Sequence, residues 1–521
     1  MGTNSELNNS RIRWWAAAII LLLDTGVVSW IWIVFDSIRQ QKVLGTLAVQ
    51  VITLLLLVLW LLLLSRLRWK IRLTTLAGLV VLLALFFFLF PFKEFTGDLV
   101  PTFGWRWAEK SFQTELMDIN TDSETDNLFT SPAFSYPQFL GPERNGKIRG
   151  TQLNADWNTH LPKQLWKQPI GEGASSFAVA GDFAVTQEQR DDNEMVVCYD
   201  LKSGKTRWQH SDKARFDSVA FVGGIGPKAT PTISGNNVYT LGATGILNCL
   251  NLKDGQLAWR RNILAENNAK VKEWGMAGSP LVLDSLVVVS AGGTDGHSLI
   301  AYHKDSGEQL WSSGNDQAGY SSPLIATIAG VRQILIFNWE HVTAHAPGSG
   351  KILWEFPWSG DTQRVAQPVV LPGDRVFITT GYGVGSKLIG INMAANSTLS
   401  ATLLWKSNRM KAKFSNVIAV GEFIYGLDDG ILACIDLKEG KRQWKRGRYG
   451  HGQMILVGDL LLITTEKGDV VLVEANPREH KEIAHFSAIQ GKTWNNPALA
   501  GPYLLVRNNR EAACYELPLL E

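Results

Sequence analysis

ATPTISGNNVYTLGATGILNCLNLKDGQLAWR, residues 229–260, decides the fold. Four short runs rich in β-branched and aromatic residues lie in it: Ala229–Ser234, Val238–Gly242, Ile246–Asn251 and Gln256–Arg260. Gly235-Asn236-Asn237, Ala243–Gly245 and Lys253-Asp254-Gly255 separate them, which is the punctuation of antiparallel strands joined by tight turns. The unit closes on Gly-x-x-x-Trp after an acidic or polar turn. That ending recurs at Gly204–Trp208, Gly255–Trp259, Gly307–Trp311, Gly350–Trp354 and Gly440–Trp444. Trp405 ends a longer copy carrying an insertion around Asn396–Ser400, Phe486 stands for Trp in a degenerate copy, and Trp166 has no repeat body before it.

The mean step from Trp166 to Phe486 is about 46 residues, a period of propellers or solenoids. A small twisted sheet with two apolar faces must pack against neighbours, and a radial array closes while leaving little edge. The indoles at 166, 208, 259, 311, 354, 405 and 444, with Phe486, are of the size that fills the space between blades. After Cys514–Leu517 too few residues remain for an outer strand, so Pro162–Ile170, carrying Trp166, is expected to complete the last blade. The expected fold is an all-β eight-bladed propeller of four-stranded antiparallel blades over 131–521.

Ahead of it the composition changes. The whole chain of 521 residues is 45% hydrophobic with 50 Lys+Arg against 48 Asp+Glu, but the apolar residues concentrate in 14–92. Trp14–Phe35, Val43–Leu64 and Leu73–Phe92 each have the length of a bilayer-crossing helix, about 30 Å. A three-helix anchor over 1–92 and an acidic linker over 93–130 are therefore expected. Arg11, Arg13, Arg66, Arg68, Lys70 and Arg72 fall on one side, against Arg39, Lys42 and Lys93 on the other. The positive-inside rule then puts the N-terminus in the cytoplasm and the propeller outside the inner membrane. Asp24, within the first span, reads either as a proton, quinone or partner-helix contact or as a carboxyl group hydrogen-bonded inside the bundle.

A formal charge of +2 gives no electrostatic case for nucleic acid, and none is expected as a partner. Cys198, Cys249, Cys434 and Cys514 occupy equivalent places on different blades, too far apart to bridge, and read as buried apolar groups. His341 and His345 are four residues apart on a strand, about 13 Å, too far to share a metal. No metal ligand and no catalytic residue is assigned.

Loops entering the innermost strands converge on one mouth of the channel. They place there Glu172, Ser176, Lys228, Trp274, Tyr320, Arg364, Lys413, Asn416, His451, Trp494 and Asn495 as candidate ligand-binding residues. Aromatic faces and cations of this kind suit a planar or anionic ligand.

The Gly-x-x-x-Trp copies, Tyr136-Pro137-Gln138-Phe139-Leu140-Gly141-Pro142 with Asn145-Gly146, Gly226-Pro227-Lys228-Ala229-Thr230-Pro231 and Gly319-Tyr320-Ser321-Ser322-Pro323 resemble the pyrroloquinoline-quinone-like (PQQ-like) repeat family over about 134–518. The resemblance implies a propeller but leaves activity open, since one fold hosts many functions. The family includes quinoprotein dehydrogenases and an outer-membrane-assembly propeller. Two functions follow as expectations. The favoured one is a membrane-tethered extracytoplasmic scaffold for a protein, peptide or polysaccharide, with no cofactor. The alternative is a membrane-bound dehydrogenase oxidising a sugar or alcohol with PQQ and calcium and reducing membrane quinone; against it, Glu172 is the one carboxylate among the channel entries.

Overall fold

The computed structural model describes residues 12–107, 135–218 and 220–520. The chain divides into two compact units, Met1–Lys110 and Ser111–Glu521.

The first unit holds three helices long and apolar enough to span a membrane: α1 (Trp14–Ile33), α2 (Arg39–Leu59, running on through a wider turn to Leu64) and α3 (Trp69–Leu89). α2 and α3 begin four residues before the apolar runs, because unbranched Arg39, Lys42, Lys70 and Arg72 favour helix as well as leucine does. Asp24 sits between α1 and α2, accepting hydrogen bonds from Thr53 Oγ1 at 2.7 Å and Gln50 Nε2 at 3.1 Å. The carboxyl group is thus satisfied within the bundle. Phe92–Phe95 and Pro101–Phe103 form an antiparallel hairpin directly after α3, at the start of the stretch read as linker.

The second unit is an eight-bladed propeller. Blades 1 to 8 take their innermost strands from Ala178–Ala180, Thr232–Ser234, Leu281–Leu283, Leu324–Ile328, Val369–Leu371, Ile418–Val420, Gln453–Val457 and Ala498–Ala500. Within each blade the chain steps outward through four antiparallel strands. The last blade is completed by Lys163–Pro169, which pairs antiparallel with Glu511–Glu516 and sets Trp166 opposite Cys514. The ring therefore closes without a covalent link, as the terminal arithmetic predicts.

The junctions explain both letters of the repeat. Five of the seven indoles leave their own outer strand and lie on the glycine turn of the next blade, donating Nε1–H to a carbonyl there, while Trp444 donates to Asn476 O in a turn without glycine. Trp166 bonds Leu201 O, Trp208 bonds Leu252 O and Trp259 bonds Lys304 O, each at 2.8 Å. Trp311 bonds Pro347 O and Trp405 bonds Leu437 O, each at 2.9 Å. A Cβ on Gly255 would lie 2.5 Å from the ring of Trp208, and the same glycine has φ +72°, a region that suits residues lacking Cβ. Gly204, Gly307, Gly350 and Gly440 receive their indoles in the same way.

The irregular copies follow from the same contact. Blade 5 replaces the glycine turn with the Ala394–Thr398 insertion, and Trp354 bonds Gln333 Oε1 of its own blade instead, at 2.6 Å. Blade 8 has no turn between its two outer strands, because they come from opposite ends of the propeller sequence. The residue facing that gap is Phe486, which needs no carbonyl and packs against Tyr515 and Trp157. The four cysteines are free, buried and each directly opposite the tryptophan of its blade. Burial pushes the thiols of Cys249, Cys434 and Cys514 up to about 12, which leaves them inert.

Candidate functional site: the two ends of the channel

The turn before each innermost strand carries a hydroxyl or amide that reaches the neighbouring blade. Ser176 N–H bonds Thr230 Oγ1, Thr230 N–H bonds Ser279 Oγ and Ser279 N–H bonds Ser322 Oγ. Gln367 N–H bonds Asn416 Oδ1 at 2.9 Å, and Gln453 Nε2 bonds the carbonyls of Phe414 and Trp494. Asn495 Nδ2 donates to Gly173 O and Ser175 O, and Ser176 Oγ to Asn496 O, fastening blade 8 to blade 1. Three expected ligand residues, Ser176, Asn416 and Asn495, belong to this girdle. They are buried, and their polar atoms hold backbone strand ends that would otherwise be unsatisfied.

Above the girdle the mouth is built of cations seated on aromatic rings. Lys413 lies over Tyr382 and Phe414 at 5.0 and 5.7 Å from the ring centres. Phe414 in turn packs on Trp494 at 4.9 Å and His451 at 5.4 Å, joining blades 6, 7 and 8. Trp494 donates its Nε1–H to Glu466 at 2.9 Å and carries Lys492 over its face. Across the mouth, Arg364 and Lys272 share Trp339 at 4.8 and 4.4 Å. Tyr320 takes the carbonyl of Arg364 on its backbone N–H, and its phenol bonds the backbone of Trp274. Lys228 caps the carbonyls of Gly224 and Gly226 and lies 4.9 Å from Phe216. Its ammonium is pushed down to about 8 by burial. Burial also lowers Lys272 and Arg364, and raises Tyr320, Tyr382 and Glu172.

The structure thus brings Lys413, His451 and Trp494 into one cluster and Trp274, Tyr320 and Arg364 into another. Glu172 stands apart, exposed, exchanging backbone hydrogen bonds with Gln189. Tyr382, Phe414, Glu466 and Lys492 complete the first cluster and Trp339 and Lys272 the second. The sequence reading omits them because they lie on turns between the second and third strands, or beside the strand entries that the repeat phase selects.

The opposite end is closed by the chain itself. Ser135-Tyr136 adds a strand to the inner edge of blade 1, and Lys147-Ile148 adds one, parallel, to that of blade 7. Between them Pro137 O accepts Ile233 N–H of blade 2, and Arg144 O accepts Gln367 Nε2 of blade 5. The Arg144 side chain is buried and donates to Ser279 O, Pro280 O and Gln138 Oε1 at 3.0–3.1 Å. Removal from water pushes that guanidinium down to about 9. Gly141, at φ +82°, turns the segment with Tyr136 and Ile148 close on either side. The YPQFLGPERNG motif is therefore a plug that joins blades 1, 2, 3, 5 and 7.

Comparison with known proteins meets this geometry. The PQQ_2 family model, described as outer membrane protein assembly factor BamB, matches residues 192–446. Its span covers the glycine–tryptophan junctions from Gly204 to Trp444. Over that span the chain is similar to PQQ-like repeats. Among relatives, the outer membrane protein assembly factor BamB of Shewanella oneidensis is 24% identical over 317 residues, 56% of this chain and 73% of that one. The protein of the same name from Yersinia pestis is 22% identical over 339 residues, 62% of this chain and 68% of its own. The crystal structure of BamB from Moraxella catarrhalis superposes with a TM-score of 0.51 at 14% identity, over 68% of this chain and 98% of that one. A quinohemoprotein alcohol dehydrogenase from Comamonas testosteroni gives 0.52 at 11% identity, over 73% and 80%. At such identities the structural likeness speaks for the fold.

A quinone cofactor of the PQQ kind needs a hard cation beside it. Calcium takes six to eight oxygens, several of them carboxylate. At the mouth, Glu466 already accepts the Trp494 indole N–H and the His451 backbone N–H, and Glu172 lies outside both clusters. Asp316, Glu340 and His341 place ligand atoms within 4.8 Å of one another, but both Asp316 oxygens are taken by the backbone N–H groups of Glu340 and His341. Glu273, near the Tyr320 and Tyr382 phenols, and Asp361, near Lys272 and Arg364, are the remaining carboxylates there, each beside a cation or phenol; among the described residues this donor set does not fit a calcium–quinone site. His341 and His345 are engaged separately, the latter buried between Thr343 Oγ1 and Gly350 O.

Proposed function

We propose that the chain is a membrane-tethered, extracytoplasmic propeller scaffold that receives a protein partner at the open mouth of its channel. The reading is carried by the sequence likeness to proteins named outer membrane protein assembly factor. Two features of the molecule support it. The plug covers one face with the chain's own residues, leaving the strand-entry face for a partner. Arg364, Lys413 and His451 are buried, but above them the mouth presents the half-buried rings of Trp274, Phe414 and Trp494 with the half-buried Lys272 and Lys492, a combination suited to peptide side chains and to carboxylates. Three apolar helices supply the tether, and the six-to-three distribution of basic residues places the N-terminus in the cytoplasm.

Crosslinking in native membranes followed by mass spectrometry tests this reading. It predicts recurrent links from Lys272 on the mouth to one partner polypeptide. Links confined to the helices, with none from the mouth, would overturn it. Purified protein given PQQ and calcium is expected to show no dye-linked oxidation of sugars or alcohols. Such activity, lost in Glu172→Gln, would establish the dehydrogenase alternative in its place.

A further inference from the structure

The chain leaving α3 does not run straight away from the helix. It goes out along Phe92–Phe95, turns at Thr96–Val100, where Leu99 adopts φ +58°, and comes back along Pro101–Phe103. Gly104 N–H then bonds Pro91 O at 3.1 Å and Arg106 N–H bonds Leu89 O at 2.8 Å. Arg106 Nε donates to Phe88 O at 2.6 Å, and its guanidinium lies 4.3 Å from the centre of the Phe88 ring. The last carbonyls of a helix have no partner within it, and in a bilayer each unsatisfied one is costly. Here the returning strand and a cation at the negative end of the helix dipole satisfy two of them.

The return also builds an aromatic surface. Phe103 packs on Phe86, Phe87 and Phe92, Trp105 on Phe90, and Trp107 on Phe88 and Trp105. These rings are not buried by one another: Phe103, Trp105 and Trp107 are 40, 45 and 61% exposed. Arg39 at the start of α2 pairs with Asp98 of the turn at 3.0 Å and lies over Trp32 at 5.3 Å. The end of α1, the start of α2 and the hairpin thus meet on one side, with Trp30 and Trp32 exposed beside them. Rings with polar edges, cations and a hydrogen-bonded backbone are the composition of the membrane–water boundary.

The geometry points to an interfacial anchor: Phe92–Trp107 lies in the headgroup layer of the leaflet where α3 ends, with Phe103, Trp105 and Trp107 embedded at the acyl boundary and the turn at Asp98, paired with Arg39, at the level of the headgroups. The lipid surface is the partner, and the inference rests on α3 crossing the bilayer. It gives the tether a fixed exit.

The test uses full-length protein in phosphatidylethanolamine–phosphatidylglycerol nanodiscs, with a nitroxide placed singly at Leu82, Asp98 or Phe103. Accessibility to oxygen and to a water-soluble nickel complex reads depth. The label at 103 is expected to be several-fold less accessible to nickel than that at 98, and the label at 82 to be exposed to oxygen alone. Equal nickel access at 98 and 103, with 82 still in oxygen, overturns the anchor and leaves the spanning helix intact. Nickel access at 82 would overturn the spanning helix instead. As a readout that spares Phe103, lipids brominated near the headgroup are expected to quench the fluorescence that wild type has beyond Trp105→Phe/Trp107→Phe. No quenching of that component contradicts the proposal.

Discussion

A glycine that must hold both a left-handed backbone and a tryptophan ring is intolerant of one added methyl. Gly255→Ala is expected to cost about 2–4 kcal/mol, combining overpacking against Trp208 with strain at positive φ. Gly235 shares the positive φ, +58°, but a Cβ there would meet nothing within 4 Å, so Gly235→Ala should cost only about 1 kcal/mol. Urea unfolding of the two variants reads the difference, and equal losses would mean that the ring contact contributes nothing. Lys228 makes a second prediction. Unfolded, it keeps its proton up to its ordinary value of 10.5; folded, it loses it near about 8. Between those values the unfolded chain binds more protons, so stability rises with pH, whereas below them the cost of the buried cation is fully present. The unfolding free energy of wild type relative to Lys228→Met should therefore climb by about 1–3 kcal/mol between pH about 7.5 and about 10. A flat difference would place the ammonium in water.

At the scale of elements, the plug and the closing strand are the two segments that leave local order to join distant blades. Arg144→Ala removes three hydrogen bonds to buried acceptors and is expected to destabilise the propeller by about 2–4 kcal/mol. The same change should speed hydrogen exchange along Leu456–Val457, the edge covered by Lys147-Ile148. Unchanged exchange there would mean that the segment is held without its arginine. The closing strand is tested by Lys163→Cys with Glu516→Cys, residues paired across the seam. Their disulfide is expected to form in air and to raise the denaturation midpoint, because it closes nearly the whole propeller sequence into one loop. Failure to form would separate the two strands.

Across the whole molecule, the repeat carried most of the architecture, because each Gly-x-x-x-Trp copy is a local record of a contact between blades. Trp166 without a repeat body and the short remainder after Leu517 revealed the seam; why Phe486 lacks an indole is visible only in the structure, where it faces that seam. The mouth was less legible. Repeat phase selects the residues at strand entries, but whether such a residue faces the channel or ties two backbones together depends on its neighbour blade. Ser176, Asn416 and Asn495 do the latter, while Trp339 and Tyr382 enter the mouth from turns that carry no periodic signature, and Phe414 from within the blade 6 entry. The place of the plug motif was not legible in the sequence, because its partners are as far along the chain as Gln367 and Leu456.

The central claim is that partners reach this propeller through its open mouth and not through its plugged face. Site-specific photocrosslinking in intact membranes compares a benzophenone side chain at half-buried Trp274, on the mouth, with one at exposed Asp374, on a turn at the plugged end. The account predicts a discrete protein adduct from position 274 and none from 374. An adduct from 374 alone would contradict it.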